Sequence, residues 1–124
     1  MKFLTMVKSK EPGGPPPPSL MAAIAKLGEQ SAKAGELVMT GGLLPSAMGA
    51  KVRLSDGELR VIDGPFTEAK EIVGGFAIYE VESKEKAVEA SLRFMKLHQE
   101  HWPGWEGETE IRPMFGPGDF PGKK

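Results

Sequence analysis

"KVRLSDGELRVIDGPFTEAKEIVGGFAIYEVE", residues 51–82, carries the signals that decide the fold. Asp56-Gly57 is a two-residue type I′ hairpin turn, and the turn sets a register. Leu54 then opposes Leu59, and Val52 opposes Val61, with all four side chains on one face. Arg53 opposes Arg60 on the other face. Turn and alternation agree, so 51–62 reads as a hairpin. Downstream, "GFAIYEVE" (75–82) reads as a strand, with Phe76 and Ile78 facing one way and Ala77, Tyr79 and Val81 the other. Gly74-Gly75 at its start marks a bulge or a close backbone approach.

Working outward, "KFLTMVK" (2–8) alternates as a strand, with Phe3, Thr5 and Val7 on one side and Leu4 and Met6 on the other. Residues 9–18 form a Pro/Gly-rich loop, because proline lacks the N–H donor that helix and central strand need. Ser19 is placed to cap a helix that buries Leu20, Ala23 or Ile24, Leu27, Ser31 and Ala34, and Gly35 ends it. "ELVMTGGLLP" (36–45) is the next strand. After residue 82, Ser83 caps a second helix over 84–99, with Ala87, Val88, Ser91, Phe94 or Met95, and His98 along its buried side. "WPGW" breaks the chain, and "TEIRPMF" (109–115) is a last strand whose Pro113 suits an edge or a strand end.

The order β-α-β-β-β-α-β predicts an α+β, ferredoxin-like split βαβ with an extra β-hairpin strand. One domain fills residues 1–115, and 116–124 is a C-terminal tail. Both helices cover one sheet face, yet the strands are apolar on both. A bare apolar face of several hundred Å² is unstable in water. A second copy, related by two-fold symmetry, is the expected cover, and two facing sheets enclose a cleft for a ligand.

Composition narrows the classes of function. Lys plus Arg is 16 and Asp plus Glu is 17, for a formal charge of −1. No basic field exists for direct nucleic-acid binding. No cysteine is present, which removes disulfides, thiol catalysis and cysteine-based zinc sites. Apolar runs are too short to span a bilayer, and "MKFLTMVKSK" has too short an apolar core for a signal peptide. The expectation is a soluble cytoplasmic protein with no membrane partner and no cofactor.

"VIDGPFTEAKEIVGGF" closely resembles the signature of the YCII-related family, in its DGPF-domain branch. "MKFLTMVK", "AGELVMTGGLLPS" (34–46) and "GETEIRPMF" (107–115) support the likeness, which spans roughly residues 1–115. The resemblance implies a bacterial homodimer in which two subunits form a dimeric α/β barrel. It also implies a link to alternative sigma factors in some members, and isomerase, lyase or monooxygenase chemistry in more distant ones. Some relatives of this type carry a histidine–aspartate pair in the pocket. Here the only histidines are His98 and His101, at the end of the second helix and away from the strands.

Asp63 is the candidate catalytic residue. It reads either as an Asx-turn carboxylate that caps the following N–H groups, or as a pocket proton carrier at a strand end. Phe66 plugs the core or lines the cleft. Glu68, Lys70 and Glu71 read as a solvated turn whose lysine pairs with carboxylates, or as cleft groups that fix a polar ligand. Arg53 and Arg60 repel each other across the hairpin, so a carboxylate such as Glu58 or Asp63, or an anionic ligand, is expected beside them. Met39 and Phe76 complete the candidate ligand-binding set. His98 and His101 complement the helix dipole, with no third metal ligand at suitable spacing. Trp102 and Trp105 pack over one end or form a lid. The expected function is a homodimer that binds a small polar or anionic organic molecule, with metal-free proton transfer or with no catalysis as the two alternatives.

Overall fold

A computed structural model describes residues 1–11, 14–67 and 69–116. The elements run β1 (Lys2–Ser9), α1 (Pro18–Lys33), β2 (Leu37–Gly42), a single 3-10 turn (Ser46–Met48), β3 (Ala50–Ser55), β4 (Glu58–Asp63), β5 (Ile72–Glu80), α2 (Lys84–His101) and β6 (Gly107–Pro113). Four strands form one antiparallel sheet in the order β2-β5-β1-β6. Parallel β1 and β2 flank β5, and parallel β5 and β6 flank β1, which is the interleaved pair of split βαβ units of a ferredoxin-like fold.

β3 and β4 do not extend that sheet. They form a separate two-stranded sheet, so the sequence reading of an added sheet strand is corrected to a free-standing hairpin. Its base is fastened to the loop around Ser46, where the Gly64 N–H donates to the Gly49 carbonyl at 2.9 Å, and not to the edge of β2. The hairpin register is as the turn requires, with Val52↔Val61, Arg53↔Arg60 and Leu54↔Leu59. Asp56 and Gly57 both have positive φ, 53° and 77°, the signature of the type I′ turn.

The helices cover one face of the main sheet. Phe3, Thr5, Ala77 and Tyr79 are buried there against Ala87 and Ala90 of α2. Phe3 and Leu20 are the large side chains wholly buried among the described residues, so the core of the chain is thin. Ser83 caps α2 by accepting from the Lys86 N–H at 3.2 Å. Ser19 does not cap α1. Pro17 holds the cap position and Pro18 the first helical one, because proline at N1 has no orphan N–H to satisfy. Ala34 is exposed rather than buried, because the chain has already turned out through a Schellman closure, Glu36 N–H to Ser31 C=O at 3.0 Å. Gly74 is the extra residue of a bulge in β5: Val7 pairs with Gly75 and Lys8 with Val73. Pro113 closes the edge strand β6.

Candidate functional site

The turn after the hairpin is built on Ser46. The Ser46 hydroxyl donates to Glu11 Oε1 at 2.6 Å and accepts from the Phe66 N–H at 3.2 Å. The Ser46 N–H donates to the other Glu11 oxygen. The side-chain and then the backbone bond from Ser46 hold the Glu11 carboxyl below its ordinary pKa. Gly64 lies so close that a Cβ there would sit 1.7 Å from the Ser46 carbonyl oxygen. The Gly64-Pro65 peptide is cis. Lys51 Nζ stands 4.4 Å over the Phe66 ring. Ser46 and Glu11 escaped the sequence reading because no local spacing links residues so far apart in the chain.

Asp63 behaves otherwise than its Asx-turn reading. Among the described residues its carboxylate accepts no hydrogen bond, and the side chain is exposed. The turn is held by Ser46 instead. By register Asp63 pairs with Ala50 on the face that carries Val52 and Val61. Arg53 and Arg60 occupy the opposite face, so the hairpin does not bring Asp63 and the arginines together. Arg60 Nη2 lies 3.5 Å from Glu58, and Arg53 has no ion pair among the described residues. Lys70 is exposed, and Glu68 lies outside the described residues.

Met39 and Phe76 do come together, on the sheet face away from the helices. Met39 pairs with Ile78, Gly41 with Phe76, and Phe76 in turn with Met6. Leu4, Met6, Met39, Phe76 and Ile78 thus form an apolar floor, half-buried except for the exposed Met39. Charged side chains rail its β6 margin. Lys8 Nζ is 2.7 Å from Glu110 and 3.6 Å from Glu108, and Arg112 is 3.2 Å from Glu110. The hydrogen bond to Glu110 raises the Lys8 pKa against the desolvation that opposes it, and the same bond lowers that of Glu110. Such a surface suits a molecule with an apolar body and a polar end.

The sequence pattern of the YCII-related domain matches residues 1–93, three quarters of the chain. The chain belongs to the YCII-related family. An uncharacterised protein of Rhizobium meliloti (strain 1021) is 29% identical over 104 residues, covering 82% of this chain and 80% of that one. In this YCII-related chain the match ends inside α2, before the last turns of the helix and the tryptophans.

That end of the molecule is aromatic. His98 is buried, with Nδ1 3.2 Å from the Phe94 carbonyl. Its ring lies 4.9 Å from that of Phe94 and 4.6 Å from that of Trp105, and Trp105 stacks on Trp102 at 6.0 Å. Burial lowers the His98 pKa, so the imidazole is neutral near pH 7 and does not serve as a cation on the helix dipole. It sits on the helix side of the sheet, so it is no part of the apolar floor. Two open depressions of about 750 and 670 Å³ flank the tryptophan pair. Of the sequence-predicted site residues, Lys70 lines the second, beside Glu11 and Glu71. No group of three or more metal-ligating side chains is gathered among the described residues. Among those residues no helix is long and apolar enough to cross a membrane.

Proposed function

We propose that this YCII-related chain works as a cytoplasmic homodimer that holds a small polar or anionic organic molecule between two facing sheets. The observation that carries this reading is the open sheet face: an apolar floor with a charged rail along one margin. Left in water, that floor forfeits about 25 cal/mol for each Å² of apolar surface. A two-fold partner covers it and leaves the charged margins to recognise a ligand's polar end. Binding is the primary role, because within one subunit Asp63 stands exposed without a hydrogen-bonded acid or base partner. Proton transfer by Asp63 is the second reading. It is favoured by the position of Asp63 at the base of an apolar hairpin face. A regulatory role beside a sigma factor is a variant of the binding reading and rests on family resemblance alone.

The test is a thermal-shift and calorimetry screen of small carboxylates, phosphates and neutral polar metabolites. Binding raises the melting temperature by mass action. A hit whose affinity falls on Met39→Glu supports the cleft. A hit that is also turned over by the wild type and not by Asp63→Asn supports proton transfer. Hits indifferent to Met39→Glu would remove the site from the sheet face.

A further inference from the structure

The hairpin presents a second apolar surface, separate from the floor. Val52, Leu54, Leu59 and Val61 share one face and are 72%, 69%, 72% and 71% exposed. Among the described residues the hairpin makes no substantial contact with any other strand or helix. A lone two-stranded hairpin is marginal in water. Here, moreover, both faces are open to water and one of them is apolar, while Lys51, Arg53 and Arg60 project from the other. The clamp at Ser46, Gly49 and Gly64 fixes the arm at its base, and in that position the arm leaves its own apolar floor uncovered.

We infer that the hairpin is an arm that lies, apolar face down, on the open sheet face of a second copy, and that it delivers Asp63 to that copy's cleft. This rests on the dimer proposed above. Three features select a second copy as the occupant. A second copy offers a bare apolar floor, and a two-fold exchange covers both arms and both floors at once, whereas arm packed on arm leaves the floors wet. A stable interface takes about 800 Å² from each partner, more than four hairpin side chains supply, and the chain has further exposed apolar groups to add in Met39, Leu43, Leu44 and Met48. Docking face down also keeps Lys51, Arg53 and Arg60 in water, so no cation is stripped of solvent. Asp63 is the charged residue on the docked face. It enters at the arm's base, where it meets a ligand held on the partner's floor. Each cleft is then composite, with Met39 and Phe76 from one subunit and Asp63 from the other.

The absence of cysteine makes the test clean. Light scattering first gives the mass of the intact chain at micromolar concentration; a single-subunit mass overturns both the dimer and the arm. Given a dimer, the Leu54→Lys/Leu59→Lys variant, checked for native far-UV dichroism, is expected to weaken dimerisation by about 100-fold or more. An unchanged dissociation constant overturns the arm and leaves the dimer standing. Mixing single-cysteine chains Val61→Cys and Met39→Cys with a short bismaleimide is expected to give a mixed crosslinked dimer, lost in the double-lysine background. Crosslinking of Val61→Cys with itself, and not with Met39→Cys, would overturn the assignment in favour of arm packed on arm.

Discussion

At the scale of single residues, the Asp-Gly-Pro-Phe turn is governed by its glycine and by a distant serine. A methyl group on Gly64 would meet backbone atoms of Ser46, which cannot rotate away as a flexible side chain could. Gly64→Ala is therefore expected to cost about 3 kcal/mol or more, read as a lower denaturant midpoint at unchanged slope. The hydroxyl of buried Ser46 serves two partners, Glu11 and the Phe66 N–H. Ser46→Ala should cost about 1–3 kcal/mol. It should also change the acid limb of stability. The folded-state pKa of Glu11 is depressed, so its contribution is fully present above the ordinary value of 4.5 and is lost as pH falls through the folded value. Removing the Ser46 hydroxyl and its bond should make the loss of stability below pH 4.5 shallower, as measured by urea midpoints across that range. The sequence announced a turn at 63–66 and its proline. It could not announce the anchor, because Ser46 and Glu11 reach the turn only through the folded chain.

At the scale of elements, local signals were legible wherever two of them agreed. Asp56-Gly57 and the flanking alternation both specify the hairpin, and the register follows. Ser83 reads as a cap because three residues on there is an N–H to accept from. Ser19 misled because the prolines before it supply a different start, in which the missing N–H replaces the need for a cap. His98 of α2 misled in another way. A charge argument suits an exposed helix end, but His98 faces inward and packs at a tilt between the rings of Phe94 and Trp105. Its folded pKa is depressed, so stability is full above the unfolded value of 6.5 and is lost as pH falls through the folded one. The melting temperature is expected to decline from pH 7.5 towards pH 5.5. His98→Phe, which keeps a ring between Phe94 and Trp105, should flatten that decline. An equal slope in the variant would assign the titration to another group.

At the scale of the whole molecule, the sheet and its helices were legible from periodicity, and the two-sided apolar strands leave a half-buried face on the side away from the helices. The placement of the hairpin was not legible, because alternation fixes which side chains share a face and says nothing of what the face meets. The split between Asp63 and the arginines was legible: Asp63 stands three residues after Arg60, and alternation puts the two on opposite faces of the arm. The arm's independence from its own core has a measurable consequence. Replacing residues 51–62 by Asn-Gly, so that Ala50 and Asp63 are joined by a tight turn, removes no side chain of the buried core and none of the Ser46 hydrogen bonds, and loses only Lys51 from over the Phe66 ring. At high dilution, where subunits are apart, the shortened chain should unfold cooperatively within about 1 kcal/mol of the intact one, since closing a different surface loop costs little. As concentration rises, the intact chain should gain stability by mass action and the shortened chain should gain much less. Calorimetric scans over a hundredfold range of concentration separate the two. A shortened chain that loses cooperative unfolding even when dilute would show that the hairpin supports its own subunit's core, and that its bare apolar face is not reserved for a partner.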